Sequence, residues 1–325
     1  MLTIYRTTTG SLVPSVWTPG QVVPTDAIWL DLLHPTPEED GAVEACIGAP
    51  VPTEEDMSEI EVSSRLYVEE GVRYMTASLL AGIQQDNPGL VNVGFVLAQG
   101  RLVTVRHGEP RVLKLFSARV CKLASGPRIG EEVLMGLLEA VIDRTADILE
   151  RVGAEVDELS KRVFARQHGR VRQKKDFMTI LRAIGRKGDL LSMIRESLLS
   201  VSRMVGFLTG KYAGVSLGKE ARSQLQVMAL DAESLRDHSS YLGDKIIFLL
   251  DATVGMVTIE QNELVKLFSI VSVILMPPTL IASTYGMNFE FMPELHHHYG
   301  YPLALLAMFI SAAIPYLIFR LKHWT

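Results

Sequence analysis

With 325 residues, 48% of them hydrophobic and 21% charged, the chain can bury a soluble core and still have apolar residues to spare. A net charge of −5 gives no electrostatic reason to expect a nucleic-acid partner. Cys46 and Cys121 are the only cysteines and form no CxxC, which argues against a disulfide scaffold or a thiolate zinc site.

The start, MLTIYRTTTGSLVPS, has no basic segment followed by a long apolar core, so no cleaved signal peptide is expected. Residues 1–128 read as a mixed α/β domain. Ala27 to Leu33 (AIWLDLL), Arg65 to Glu69 and Val72 to Ile83 are expected strands, and Val93 to Ala98 and Arg101 to Arg106 form a hairpin across Gln99-Gly100. Pro35 to Asp40 and Pro52 to Asp56 each place threonine before acids, the pattern of a helix N-terminus.

From Glu131 the pattern turns helical. Val133, Leu134, Leu137, Leu138, Val141, Ile148, Leu149, Val152, Val156, Leu159 and Val163 form one stripe, and a return helix is expected from about Gln173 to Leu208. Residues 129–217 thus form a helical hairpin. Its charge is segregated: 131–158 holds nine acids against Arg144 and Arg151, whereas 159–187 holds ten Lys or Arg against Asp176. Such a run is a solvated tip or a surface for an anionic leaflet.

After the glycine-rich break at 210–218 comes a stalk helix, 218–267, expected to continue into the membrane. Met228, Leu235, Leu242, Leu249 and Met256 recur at seven, the spacing of helices packed side by side. Asp237, Asp244 and Asp251 also recur at seven. They form a solvated stripe or an acidic lining that collects divalent ions. An unbroken helix from Lys219 to the neighbourhood of Asn288 would run roughly 100 Å, far longer than a bilayer.

The last part, 268–325, is read as a two-helix membrane domain. Phe268 to Tyr285 (268–285) contains no charged residue or histidine, and neither does Tyr301 to Phe319 (301–319); each is long enough to cross a bilayer. The link, 286–300, carries Glu290 and Glu294 but no Lys or Arg, whereas Lys266, Arg320 and Lys322 flank the outer ends. By the positive-inside rule the link faces away from the cytoplasm and both termini face into it, in a cell (inner) membrane.

The first span is patterned. Asn262, Val265, Ser269, Ser272, Met276, Thr279 and Ser283 recur at steps of three and four, which puts them on one helix face. Small and hydroxyl-bearing residues there suit helix packing or a wet pathway. Pro277-Pro278 removes two backbone donors and should bend or loosen this span.

Tyr285-Gly286-Met287-Asn288, then Phe289 to Leu295 (FEFMPEL) and Tyr299-Gly300-Tyr301-Pro302, closely resemble the CorA family of magnesium and divalent-cation channels. Asn262-Glu263-Leu264-Val265-Lys266 and Met276-Pro277 are similar to the family pattern too, and the order of strands in 1–128 is similar to its cytosolic domain. The resemblance implies an α+β cytosolic domain with a long helical stalk and two C-terminal transmembrane helices, assembled as a funnel-shaped homopentameric channel. It implies that Gly286, Met287 and Asn288 form the selectivity filter. Asn262, Val265, Phe268, Ser269, Ser272, Met276, Thr279 and Ser283 would line the pore, with Val265 or Phe268 as an apolar constriction.

Mg²⁺ sheds water reluctantly, and no carboxylate, imidazole or thiolate stands in the first span, so a hydrated ion is the expected cargo. Glu290 and Glu294 would concentrate cations at the mouth. Mg²⁺ is the expected substrate and a possible regulator, with Co²⁺, Ni²⁺ and Zn²⁺ as alternatives. By resemblance, regulatory acids bridge neighbouring subunits; Asp86 and Asp251 are candidates, beside Asp237 and Asp244. His296, His297 and His298 could capture Zn²⁺ or Ni²⁺. They keep open a second reading, a zinc transporter similar to the ZntB branch, which tends to depart from Gly-Met-Asn. No enzyme is expected: HExxH, GxSxG and GxGxxG before a helix are missing, and Gly206 to Tyr212 (GFLTGKY) is one residue short of a phosphate loop.

Overall fold

The computed structural model describes residues 1–8, 11–83, 87–123, 126–164, 174–210, 218–287, 292 and 298–322, the side chains of 174–176 aside. Two compact units divide it, Met1–Leu250 and Asp251–Thr325.

The first unit is built on a seven-stranded sheet of order β2-β1-β3-β7-β6-β5-β4. Its strands are β1 (Leu2–Thr8), β2 (Ser11–Val16), β3 (Ala27–Leu33), β4 (Leu66–Glu69), β5 (Val72–Ala81), β6 (Gly89–Ala98) and β7 (Arg101–Arg106). All neighbours are antiparallel except β3 and β7, which run parallel with Leu30 opposite Val103 and Leu33 opposite Arg106. β1 and β2 were not expected. Arg65, read as the start of a strand, instead ends a four-residue helix, and β5 stops at Ala81, two residues short of Ile83.

Alternation along β3 sends successive side chains to opposite faces. On one face Leu30, Leu32, Val96 and Val103 pack with Val43 and Ile47 of α1 (Pro37–Ile47) and Met57 of α2 (Glu54–Ser58). α1 opens on a reciprocal cap in which Thr36 accepts from the Glu39 amide and Glu39 from the Thr36 amide; Thr53 and Asp56 do the same for α2. The short α3 (Val62–Arg65) leads into β4.

On the other face Trp29, Phe95 and Leu102 meet α4 (Arg111–Val120), α5 (Gly130–Phe164), α6 (Lys174–Thr209) and the start of α7 (Lys219–Tyr285). The stripe read from Val133 to Val163 is buried throughout. Gly130 marks the closest approach of helix to sheet: its amide donates to the Gly100 carbonyl at 2.7 Å, and a Cβ there would lie 2.4 Å from backbone atoms of Arg101 and Leu102. Of the sevenfold stripe of α7, Leu242 packs over Gly153 of α5, and the neighbouring Ile246 packs over Gly188 of α6. Ion pairs Glu155–Lys187 and Asp157–Lys245 tie the same helices from outside.

The second unit holds the end of α7 and α8 (Gly300–Leu321). Both contain an 18-residue window apolar enough to cross a membrane, with mean hydropathy 2.0 and 2.1, and only 6% and 0% of those windows is buried within the chain. Core helices of a soluble protein would be mostly covered.

Candidate ion pathway

The residues expected to line a pathway all sit on the last third of α7. Asn262, Val265, Phe268, Ser269, Ser272, Met276, Thr279 and Ser283 are all exposed in the single chain, Phe268 at 69% and Met276 at 71%. Ile270, off that face, is buried at 9%. Apart from it, Ile274, Pro277, Pro278 and Ile281 are half-covered, and every other residue from 262 to 285 is exposed, the patterned ones among them.

Two of the four hydroxyls among the patterned residues have a fixed direction. Ser269 Oγ donates to the Val265 carbonyl at 2.8 Å and Thr279 Oγ1 to the Leu275 carbonyl at 2.7 Å. Each proton is committed to the helix's own backbone, so what these oxygens offer outward is lone pairs. Sequence reading named these residues without this polarity, although serine and threonine inside helices commonly bond to the carbonyl four residues back.

α7 stays helical through Pro277 and Pro278. Neither residue has an amide proton, so the carbonyls of Val273 and Ile274 lose their usual donors four residues ahead. The helix ends at Tyr285: the Gly286 amide donates to the Ala282 carbonyl at 3.0 Å and the Met287 amide to Thr284 at 3.4 Å. A Cβ on Gly286 would stand 3.1 Å from the Ala282 oxygen, which makes glycine the comfortable residue there. Asn288, Glu290, Glu294, His296 and His297 lie outside the described residues, as does Asp86; His298 is described and its ring meets Tyr299 edge-on at 5.3 Å.

Asp237, Asp244 and Asp251 are exposed on α7, Asp237 with Arg236 Nη2 at 3.9 Å. Among the described residues no three His, Cys, Asp or Glu side chains converge into a preformed metal cage. Nearby on α7, Lys245 hydrogen-bonds Asp157 and holds that carboxyl below the usual aspartate range, while its own ammonium is raised by the same bond.

The family described as CorA-like Mg2+ transporter protein matches residues 25–321. The chain belongs to the CorA family. A protein named magnesium transport protein CorA from Haemophilus influenzae is 36% identical over 302 residues, 92% of each chain, and one of the same name from Salmonella typhimurium is 34% identical over 299 residues, again 92% of each. The complete structure of the CorA magnesium transporter from Methanocaldococcus jannaschii superposes with a TM-score of 0.74 over 100% of this chain and 99% of that one, at 20% identity. That likeness establishes the CorA fold: a mixed sheet, a long helix and two apolar C-terminal helices.

Proposed function

We propose that this chain is the subunit of a membrane channel that takes up Mg²⁺, largely hydrated, down its electrochemical gradient. The observation that carries the reading is the last third of α7, uncharged from Phe268 to Tyr285, exposed at the patterned positions and bearing the Ser269 and Thr279 hydroxyls, whose protons are turned back onto the helix. Water bound to a cation points its hydrogens outward, so a wall of acceptors suits it, whereas a bare ion would need carboxylates to replace its shell. The names of its CorA relatives support Mg²⁺ as cargo; Co²⁺ and Ni²⁺ as further substrates belong to the proposal alone.

Two spans cannot enclose water, so several copies must contribute one α7 each, and a closed ring is the natural assembly; five follows from the family resemblance. In this reading the chain divides into a soluble domain (1–128), a helical hairpin (129–217), a stalk (218–267) and a membrane domain (268–325), with both termini in the cytoplasm. Gly286, Met287 and Asn288 form the outer filter, Glu290 and Glu294 draw cations to it, and Val265 or Phe268 narrows the inner end. A divalent ion moving inward gains about 4.6 kcal/mol per 100 mV, which drives uptake without nucleotide.

The test is Mg²⁺ uptake into proteoliposomes under an inside-negative potential. Wild-type protein should load Mg²⁺ and Asn288→Ala should lose most of that flux while assembling normally. No flux from either protein sinks the channel reading.

A further inference from the structure

The sheet-bearing unit contains a cavity that ion passage does not use. β3 and β7 lie side by side and run parallel with Leu33 opposite Arg106, and the His34 amide donates to the Arg106 carbonyl at 2.9 Å. From these ends the chain leaves in opposite directions. β3 leads to α1, whose Val43 and Ile47 pack on one face of the sheet, and β7 leads to α4, whose Val112, Leu113 and Phe116 pack on the other. Neighbouring parallel strands whose connections part in this way leave a crevice outside their carboxyl ends, the place where open α/β sheets take their ligands.

A cavity of about 1000 Å³ lies there, walled by the ends of β3, β5 and β7 and by α4 and α5. Its wall has two characters. Leu79, Val112, Leu113, Val141 and Ile148 make one part apolar. On the rest, basic side chains outnumber acidic ones, with Arg106, Arg111, Lys114 and Arg144 against Asp31 and Glu109.

Asp31 is already paired with Arg106. Arg106 is 9% exposed and uses three of its five N–H groups, two on Asp31 and one on the Gly108 carbonyl at 3.0 Å, so a guanidinium fixed in place keeps two donors. Arg144 has a loose 3.7 Å contact with the exposed Asp147, and among the described residues no acid pairs with Arg111 or Lys114. Thr145, 3% exposed and on the same wall, donates its hydroxyl proton to the Val141 carbonyl at 2.7 Å and offers only lone pairs.

The cavity thus joins a surplus of positive charge, mostly guanidinium, to an apolar part and a hydroxyl acceptor. A bare anion needs neither the volume nor the apolar wall. Guanidinium forks match phosphate oxygens, and a cavity of this size accommodates a whole small molecule. We propose that it binds a nucleotide, with the phosphates on Arg106, Arg111, Lys114 and Arg144 and the base against Leu79 and Ile148. The site stands whether or not the pore reading above holds.

The experiment dialyses full-length protein in detergent to equilibrium against radiolabelled ADP, without Mg²⁺ so that chelation plays no part. The expected result is one ADP per chain. Arg111→Gln with Lys114→Gln, both exposed and thus tolerated by the fold, should weaken ADP by more than roughly tenfold, as should Arg144→Gln. Arg119→Gln with Lys122→Gln, an equal change of charge off the cavity wall, should leave binding unchanged. Melting without ligand checks folding; if Arg144→Gln melts early, the exposed pair decides. Pyrophosphate and adenosine should each compete at least roughly tenfold less well than ADP, since each meets only one part of the wall. No saturable ADP binding, binding unchanged by Arg111→Gln with Lys114→Gln, an equal loss in the off-wall variant, or either half-ligand competing as well as ADP overturns the proposal.

Discussion

Removing one partner of the buried pair between β3 and β7 tests how the sheet-bearing unit is held together. Asp31 and Arg106 are 6% and 9% exposed. Arg106 Nε donates to Asp31 Oδ1 at 3.1 Å and Nη2 to Oδ2 at 2.8 Å, while Thr104 Oγ1 donates to Oδ1 at 2.7 Å and in turn accepts from Trp29 Nε1 at 3.0 Å. Asp31→Ala takes the acceptor from three donors and leaves a guanidinium charge enclosed, a loss of about 3–5 kcal/mol. At about 2–4 °C per kcal/mol for a domain of this size, melting should fall by roughly 6–20 °C. Thermal unfolding in detergent, read from tryptophan emission, measures it with Trp29 inside the network as reporter. Asp31→Leu with Arg106→Met removes both charges and should recover most of the loss. A single variant that melts within about 2 °C of wild type, against the roughly 6–20 °C expected, would refute the reasoning, as would a double variant no better than the single.

Gly130→Ala forces a methyl to 2.4 Å from the Arg101–Leu102 backbone and should cost about 1–3 kcal/mol or more in the same melt, since backbone cannot step aside as a side chain can. Pro277→Ala with Pro278→Ala returns two donors to α7; it should stiffen the span and change Mg²⁺ flux while leaving assembly intact, and identical flux would show that the prolines set neither diameter nor gate. Lys245→Met should leave melting almost unchanged because the Asp157 pair is exposed. Its signature is in titration. The lysine lowers the Asp157 pKa, so the pair's small contribution is present above the ordinary aspartate range and fades as pH falls through the lowered value; NMR should show Asp157 titrating higher in the variant.

The membrane half was legible because its signal is local. Eighteen residues free of charge from Phe268 to Tyr285, and Gly286-Met287-Asn288 after them, need no knowledge of the rest of the chain. The long helices were legible for the same reason: the stripe from Val133 to Val163 repeats often enough to be unambiguous, and it is buried as read. Short elements without such repetition were not. β2 contains Pro14, which reads against a strand, yet β2 is the edge of the sheet, where a missing donor costs no ladder bond. α4 begins at Pro110 with no side-chain cap, so neither a start signal nor sufficient length announced it.

What no local pattern could supply is pairing across distance. Asp31 sits in a strand of otherwise apolar residues, AIWLDLL, and its partner lies 75 positions on; only the parallel register of β3 and β7 makes an expensive buried acid into a satisfied one. The same register sets His34 beside His107, an adjacency the sequence hides behind 72 intervening residues. The two halves thus differ in what they do with polar groups. In the sheet-bearing unit, Asp31 and Arg106 are brought inside and matched with each other. On α7 from Phe268 to Tyr285 no charge is brought in, and the hydroxyls of Ser269 and Thr279 bond to their own helix, which in the proposed channel leaves a surface able to touch a hydrated ion without holding it. In the proposed channel, fast passage requires binding weak enough to release, and a carboxylate on the pathway face would work against it.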